Sequence, residues 1–356
     1  MDKRLEMLKE LTSVPGITGF EGQVKEVIRK HMEPVAEISE DNLGSIICKK
    51  TGTAEGPRIM LSGHMDEIGF MVKLISEDGF IKFTQLGGWW DQVLLAQRVT
   101  IMTKEGPVPG IIGSKPPHIL SSEVRNKVVK KKDMFIDIGA EDREDARKMG
   151  VRPGDPIIPK ADFTIMKNEK YLLSKAWDDR IGCALFMDVI NELAEEGHPN
   201  TLYGVGSVQE EVGLRGAKTS AELVDPDIMF ALEVGIAGDV PGVKEEEAQE
   251  RLGKGPVILL YDASMVPHLA LRDFVIDTAD ELGIEYQFDL MEGGGTDAGR
   301  VHVHKSGVPS LVISVPTRYI HSHYGLINRD DYDQTVKLLK GIIKKLDQDT
   351  VNRIRG

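Results

Sequence analysis

The sequence predicts an α/β protein in which a mixed, mostly parallel sheet lies between two layers of helices, with a small β-rich unit inserted into the chain. Helix and strand patterns alternate over the first 67 residues and again after residue 162, which is typical of such a sheet. Between them, short alternating strands are separated by Gly and Pro turns, which is typical of a separate β-rich unit. Acidic and imidazole side chains follow several of the apolar runs.

The first part of the chain begins with helical signals. Residues 5–11 form an amphipathic run, and Thr18 with Glu21 has the spacing of a capping box that opens a helix towards Met32. Strand-like apolar runs follow at residues 45–49 and 58–61. Within the inserted unit, the clearest strands are predicted at residues 80–84 and 98–102.

The alternation after residue 162 completes the predicted sheet. Strands are predicted at residues 202–208, 228–232, 257–261, 285–290 and 310–315, and helices at residues 180–196, 268–282 and from 331 onward. We therefore expect one α/β domain formed by residues 1–67 and 163–356. The β-rich stretch at residues 68–162 is expected to form a second, inserted domain.

The composition argues against several classes of function. Asp plus Glu number 57 against 44 Lys plus Arg, a net charge of −13, so much of the surface would repel a phosphate backbone and nucleic acid is not an expected partner. The start lacks a signal-peptide core, and no apolar run reaches the roughly 18 residues of a membrane span. With Cys48 and Cys183 expected to be buried and reduced, a cytoplasmic protein without a membrane partner is predicted.

Five short segments place acidic or imidazole side chains near the ends of apolar runs. They contain His64 with Asp66, Asp178, Glu210 with Glu211, Glu233, and His321. Because ligands collect at the carboxyl ends of the strands in an open α/β sheet, these side chains can converge in space. Two histidines and three carboxylates would hold two divalent metal ions that share one ligand, with a spare carboxylate as a general base. The set predicts a hydrolase.

Several of these segments also have a structural interpretation. Asp178 and Asp179 precede an apolar helix, where carboxylates stabilise the helix start, although one of the two can be the ligand that bridges both metal ions. Glu210 with Glu211 could be a solvated acidic pair. A single histidine such as His64 is typically a hydrogen-bonded structural residue. If His64 is a ligand, the Asp66 carboxylate is expected to accept its other N–H and fix its tautomer. The joint occurrence of the five segments favours the metal site.

A glycine run at residues 293–295 precedes a predicted helix that carries His302 and His304. The run is compatible with a flexible turn and with a loop whose backbone amides approach a substrate carbonyl or carboxylate. His302 and His304 are two residues apart, so on a helix they face different sides and are not expected to be ligands together. Of His321 and His323, we expect His321 to be the ligand.

The order of the segments GHMDE, WDDR, QEEVG, LEVG and PTRYIHS resembles the cytosolic di-metal aminopeptidases of the TET, deblocking and glutamyl aminopeptidase family, in metallopeptidase clan MH. The similarity covers nearly the whole chain. It implies a phosphorylase/peptidase-like three-layer fold with an inserted β-barrel that serves dimer contacts and assembly. Trp89 and Trp90 would then lie in the barrel core, which we favour, or at an interface.

The resemblance also implies a cofactor, partners and site residues. Two divalent ions, Zn or Co, would be bound per subunit, the substrates would be peptides with a free N-terminus, and dimers would assemble into a tetrahedral dodecamer. His64 and Glu233 would bind one ion, Glu211 and His321 would bind the other, and Asp178 would bridge them.

The predicted catalytic residues are Glu210, which the resemblance implies, and Asp66, which is predicted from its place beside His64. Glu210 would be the general base that takes a proton from the attacking water and returns it to the departing amine, and Asp66 would act through His64. The sequence departs from the family at Glu233, where many relatives have aspartate. The extra methylene puts the metal preference and the ligand distance at that position in doubt.

Two other functions are compatible with parts of the pattern. Glu210 with Asp178 or Glu233 could be the acid and nucleophile of a glycosidase, and relatives of the family are sometimes labelled endoglucanases. That mechanism leaves both predicted histidine ligands unused, and an aromatic content of 6% offers few platforms for stacking sugars. The other is a non-catalytic, metal-stabilised assembly protein, against which the presence of a candidate base argues.

Overall fold

The computed structural model describes residues 2–356. Its strands are β1 (Glu37–Glu40), β2 (Ile46–Thr51), β3 (Arg58–His64), β4 (Gly69–Ile75), β5 (Ile81–Leu86), β6 (Arg98–Thr103), β7 (Gly106–Gly113), β8 (Phe135–Asp137), β9 (Pro156–Pro159), β10 (Thr164–Ile165), β11 (Tyr171–Ser174), β12 (Thr201–Ser207), β13 (Ile228–Ile236), β14 (Val257–Asp262), β15 (Gln287–Met291), β16 (Ser310–Arg318) and β17 (Gly325–Asn328). Its α-helices are α1 (Lys3–Ser13), α2 (Gly22–Met32), α3 (Ser122–Arg125), α4 (Arg143–Lys148), α5 (Trp177–Glu196), α6 (Arg215–Val224), α7 (Leu269–Leu282), α8 (Ala298–Val301), α9 (Arg329–Lys345) and α10 (Gln348–Arg355).

The larger sheet is mixed, and its centre is parallel. The strand order is β1-β2-β12-β3-β13-β16-β17-β11-β10, and β14 pairs with both β16 and β15. Strands β12, β3, β13 and β16 run parallel to one another, whereas β2 and β17 join this centre in antiparallel pairs. The mixed sheet predicted from the sequence is confirmed, with its parallel pairing concentrated in the middle.

Helices cover both faces of this sheet. On one face α1, α2, α5, α7 and α9 pack against apolar side chains that include Leu61 and Phe230. On the opposite face α6 and α8 pack against side chains that include Met60 and Val205. Because both faces are covered, the central strand β3 is buried over nearly its whole length, as expected for a parallel strand inside a three-layer fold.

Strands β4 to β9 close into a separate barrel in the order β4-β5-β8-β7-β6-β9. The barrel lies in the chain between β3 and β10, so the insertion predicted from the sequence is confirmed. Phe70 lies at its core, and Trp89 stacks on Phe70 with ring centroids 4.7 Å apart. Trp89 is thus a core residue, as favoured from the sequence, whereas its neighbour Trp90 is 60% exposed.

Phe186 in α5 provides a test of the packing between the helices and the sheet. Its side chain is fully buried against the sheet, so Phe186→Ala is expected to lower the free energy of unfolding by about 3–5 kcal/mol through lost contacts and a residual cavity. Urea denaturation followed by circular dichroism measures this change. Leu223→Ala removes a 59% exposed side chain and should change stability by about 0.5 kcal/mol or less. Equal effects of the two substitutions would contradict the packing described.

Two local predictions about helices were wrong. Thr18 and Glu21 do not form a capping box, because α2 begins at Gly22 without a side-chain cap and the Thr18 hydroxyl instead donates to Asp66 Oδ2 at 2.8 Å. The helix after the glycine run is a single turn that ends at Val301. His302 and His304 therefore lie beyond that helix instead of on it.

Several strands extend further than predicted, and in two of them the extension places a site residue. Strand β3 runs to His64, and β13 runs to Ile236. His64 and Glu233 consequently lie on regular sheet positions instead of in loops.

The two cysteines are as the composition predicted. Cys48 and Cys183 are buried and free, as expected. Within residues 2–356, none of the helices combines the length and apolarity needed to cross a bilayer.

Candidate metal centre

The five predicted segments meet at one edge of the parallel centre of the sheet. His64 ends β3, Asp178 lies at the start of α5, Glu210 and Glu211 lie in the 3₁₀ turn Glu210–Val212 after β12, Glu233 lies in β13, and His321 follows β16. All six side chains line one cavity of about 550 Å³. The structure thus brings together residues that are up to 257 positions apart in the chain.

The backbone at the edges of this cavity adopts conformations that are uncommon outside glycine. Ala176, Gln209 and His321 have φ values of 54°, 56° and 54°, in the left-handed region that side chains disfavour. Each lies in or next to a segment that supplies a site residue. Such conformations persist where the surrounding structure enforces them, and they cluster at functional sites.

Asp178 lies between the two imidazoles. Its Oδ1 is 3.0 Å from Nε2 of His64, and its Oδ2 is 3.3 Å from Nε2 of His321. One carboxylate therefore presents a different oxygen to each histidine. This is the arrangement required of a ligand shared by two cations about 3.5–4 Å apart.

The glutamates complete two potential cation positions around this carboxylate. His64 Nε2 lies 3.8 Å from Glu210 Oε2 and 3.9 Å from Glu233 Oε2, while His321 Nε2 lies 3.5 Å from Glu211 Oε1. In two groups of three residues, the candidate ligand atoms all lie within 4.8 Å of one another. One group is His64, Glu210 and Glu233, and the other is His64, Asp178 and Glu211. Imidazole nitrogens and carboxylate oxygens are the ligands that zinc and similar ions take from proteins, so the residues present fit divalent cations.

Electrostatics at the site favour bound positive charge. Burial, together with the charges of neighbouring carboxylates, raises the pKa of Glu210 and Glu233 well above the usual value and raises the pKa of Glu211 to about 8. Burial opposes protonation of His321, but its hydrogen bond with Asp178 raises the pKa of that imidazole to about 9. Several buried anions so close together are costly unless a cation balances them.

Asp66 lies beside the site in a role different from the one expected. His64 Nδ1 lies 2.8 Å from the backbone carbonyl of Asp66, whereas the nearest carboxylate oxygen of Asp66 is 3.6 Å away. The carboxylate instead accepts hydrogen bonds from the backbone N–H groups of Glu210 and Glu211, at 3.0 and 3.2 Å, and from Thr18. The prediction that the Asp66 carboxylate fixes the His64 tautomer was wrong, because this carboxylate accepts hydrogen bonds from the backbone of Glu210 and Glu211 instead.

Two further carboxylates support the site. Asp179, considered with Asp178 as the bridging ligand, accepts hydrogen bonds from the backbone N–H of His64 and of Gly182, so it ties the end of β3 to the start of α5. Asp297, directly after the glycine run, accepts hydrogen bonds from the hydroxyls of Ser62 and Ser207. The sequence did not predict these contacts, because the partners of both carboxylates are set by the tertiary fold.

A buried ion-pair group lies behind the site. Glu67 Oε1 is 2.5 Å from Lys175 Nζ and 3.3 Å from a guanidinium nitrogen of Arg180. Arg180 also donates to the backbone carbonyls of Leu11 and Gly16. The group links the segments that carry His64 and Asp178, which fixes their relative position.

The remaining histidines do not join the site. His323 is buried, and its ring packs against Trp89 of the barrel at a tilted angle of 57° with the ring centroids 5.1 Å apart. The contact joins the barrel to the larger sheet. His304 faces Asp225 on the α6 side of the fold. Of the two histidines after β16, His321 is the one the structure places among the carboxylates.

The fold and the site together define an α/β enzyme with a cavity built from imidazoles and carboxylates at the edge of its sheet. The profile of the M42 glutamyl aminopeptidase family matches residues 44–338, and a second profile, described as AMPT, matches residues 2–28. The chain belongs to the M42 glutamyl aminopeptidase family.

Individual relatives align with this chain over nearly its whole length. The glutamyl aminopeptidase of Lactococcus lactis is 37% identical over 355 residues, which cover 99% of each chain. The crystal structure of a TET aminopeptidase from a marine sediment archaeon, Thaumarchaeota archaeon, is 48% identical with a TM-score of 0.97, again over 99% of each chain. The Pyrococcus horikoshii TET1 peptidase, which can assemble into a tetrahedron or a large octahedral shell, is 34% identical with a TM-score of 0.86 over 97% of this chain and 100% of its own.

A structure that carries a different name has the same fold. A Thermotoga maritima protein named endoglucanase is 31% identical with a TM-score of 0.78, over 98% of this chain and 99% of its own. A test of the activity of this chain should therefore include a polysaccharide.

Proposed function

We propose that this protein is a metal-dependent aminopeptidase that removes N-terminal residues from peptides, using two divalent metal ions and a glutamate base. In this proposal His64 and Glu233 hold one ion, Glu211 and His321 hold the other, and Asp178 bridges them. The main support is the position of Asp178, whose two oxygens face different imidazoles at 3.0 and 3.3 Å. The glycosidase mechanism uses two carboxyl groups and does not require an imidazole beside either oxygen of a carboxylate.

Glu210 is proposed as the general base. When bound, the cations would polarise the peptide carbonyl and make a water molecule more acidic. Glu210 takes a proton from the attacking water and donates it to the amine that leaves as the C–N bond breaks, so the base is regenerated in each turnover. Its burial raises its pKa, and a higher pKa makes a carboxylate a stronger base.

Asp66 supports the base through the backbone. It accepts hydrogen bonds from the N–H groups of Glu210 and Glu211, so one carboxylate orients the proposed base and a proposed ligand together. Asp66 is therefore proposed as a positioning residue.

The two parts of the chain are proposed to have separate tasks. Residues 1–67 and 163–356 would form the catalytic domain, and residues 68–162 would form a barrel domain for dimer contacts and assembly. Ile119 and Trp90 of the barrel unit are 66% and 60% exposed, and an assembly through this domain would cover them. By analogy with the TET1 relative, dimers would build a tetrahedral dodecamer, and the free cysteines fit a cytoplasmic location.

Chelation tests the metal requirement. Hydrolysis of a panel of aminoacyl-p-nitroanilides should disappear after treatment with 1,10-phenanthroline and return with Zn or Co, because the cations balance the buried carboxylates and activate the water. The same preparations should release no reducing sugar from carboxymethyl-cellulose. Chelator-resistant hydrolysis, or sugar release without peptidase activity, would contradict the proposed function.

A further inference from the structure

A second acidic pair lies in the same cavity, apart from the residues proposed to hold metal. Glu250 and Asp289 both line the cavity that contains His64 and His321. Glu250 is fully buried. The polar groups nearest to its carboxyl group are the Asp289 carboxylate and the backbone N–H of Ile236, and neither makes a well-formed hydrogen bond with it. Asp289, in β15, is 9% exposed. Buried carboxylates without a well-formed hydrogen bond are rare because they are costly.

Within residues 2–356, no Lys, Arg or His side chain forms an ion pair with either carboxylate. Burial first, and the charge of Asp289 second, raise the pKa of Glu250 well above its usual value. The pair therefore keeps a proton or receives a cation from outside the fold. The cavity is the space through which such a cation would arrive.

The pair lies at a definite place relative to the proposed metal ligands. Gly235 follows Glu233 by two residues in β13, so the two residues face the same side of the sheet and are about 7 Å apart along the strand. A Cβ placed on Gly235 would collide with the carboxyl group of Glu250. The glycine thus leaves room for that carboxyl group next to the proposed metal centre.

Apolar side chains line the same cavity as the two acidic groups. Ile236, Leu259, Met291 and Val312 line it, and such side chains pack well against methylene groups. A lysine or arginine side chain has this form, an aliphatic stem that ends in a cationic group. An acidic first residue would instead bring a third negative charge to Glu250 and Asp289.

We propose that Glu250 and Asp289 form the end of the pocket for the first side chain of the substrate and select peptides that begin with lysine or arginine. This inference rests on the proposed aminopeptidase function. The free α-amino group and scissile carbonyl would lie at His64 and His321, and the cationic end of the side chain would lie at the second acidic pair.

A matched pair of substrates tests the proposal. L-lysine-p-nitroanilide and L-norleucine-p-nitroanilide differ only in the terminal ammonium group, and the metal-loaded wild type should show a kcat/KM about 10- to 100-fold higher for the lysine compound, as expected for a charge-assisted hydrogen bond. In Glu250→Gln and Asp289→Asn this preference should fall to a few-fold or less, because kcat/KM for the lysine compound should drop more than kcat/KM for the norleucine compound. Glu246→Gln, which changes an exposed glutamate, should keep the wild-type ratio.

Binding provides a second measurement that does not need turnover. L-lysine should raise the melting temperature of the metal-loaded wild type more than L-norleucine does, and the difference should vanish in Glu250→Gln. The inference would be overturned if the wild type preferred norleucine or glutamyl substrates to lysine, or if both variants kept the wild-type preference for lysine. Either result would leave the aminopeptidase function intact. Failure to hydrolyse any aminoacyl compound, with equal thermal shifts for the two amino acids, would reject both.

Discussion

Replacing Glu210 by Gln is expected to lower kcat by about 10²- to 10⁴-fold, the usual contribution of a general base, while the metal content stays that of the wild type. Gln has nearly the same size as Glu but does not accept a proton at neutral pH. The carboxyl oxygen it replaces lies 3.8 Å from His64 Nε2, inside the proposed reaction space. Steady-state kinetics on leucyl-p-nitroanilide, together with elemental analysis of the purified variant, measure both quantities.

The same experiment separates two roles for this glutamate. Glu210 is close enough to His64 and Glu233 to be a ligand, and a variant that lost metal would assign it that role instead. Turnover equal to the wild type would remove Glu210 from the mechanism altogether. Glu195→Gln, at an exposed glutamate of α5, controls for the loss of one negative charge and should be indistinguishable from the wild type.

Asp178→Asn is expected to lower the metal content from two ions per subunit to one or none and to abolish measurable peptidase activity. Asn keeps the shape of the side chain but supplies only one oxygen, so one imidazole faces an amide N–H₂ group that does not bind a cation. The loss should be deeper than in Glu210→Gln, because metal binding and catalysis disappear together. Elemental analysis after dialysis, and zinc titration by calorimetry, measure the stoichiometry.

Circular dichroism decides whether such a loss is specific to the site. Asp178 makes its side-chain contacts with His64 and His321, so the variant should retain its helices and strands. Asp277→Asn, at an exposed aspartate of α7, should bind metal as the wild type does. Full occupancy of both positions in Asp178→Asn would disprove the bridging role.

The sequence predicted that the proposed ligands lie close together, because one physical rule applies to most of them. Parallel strands end at a common edge, so polar residues at the ends of β3, β12 and β16 were expected to meet there. Glu233 was found for a related reason, since a carboxylate that closes a run as apolar as residues 228–232 requires a partner. The structure extends β13 past this residue without moving it away from the others.

The supporting contacts could not be predicted, because each depends on a partner that the chain supplies from elsewhere. The spacing of Thr18 and Glu21 fits a helix cap, but the Thr18 hydroxyl finds Asp66, 48 residues away. The Asp66 carboxylate is likewise nearer to the backbone of the glutamate turn than to the imidazole beside it in sequence. Glu250 lies outside every predicted helix and strand, and its position depends on the absence of a side chain at Gly235.

The insertion of the barrel between β3 and β10 also determines when the chain can become active. His64 emerges from the ribosome before the barrel, Asp178 emerges only after it, and His321 comes from the last tenth of the 356 residues. A nascent chain, or a fragment cut within the barrel, therefore lacks the complete set of proposed ligands. If these residues hold the metal ions as proposed, peptidase activity would begin only after the segment that follows β16 has been synthesised and has folded onto the sheet.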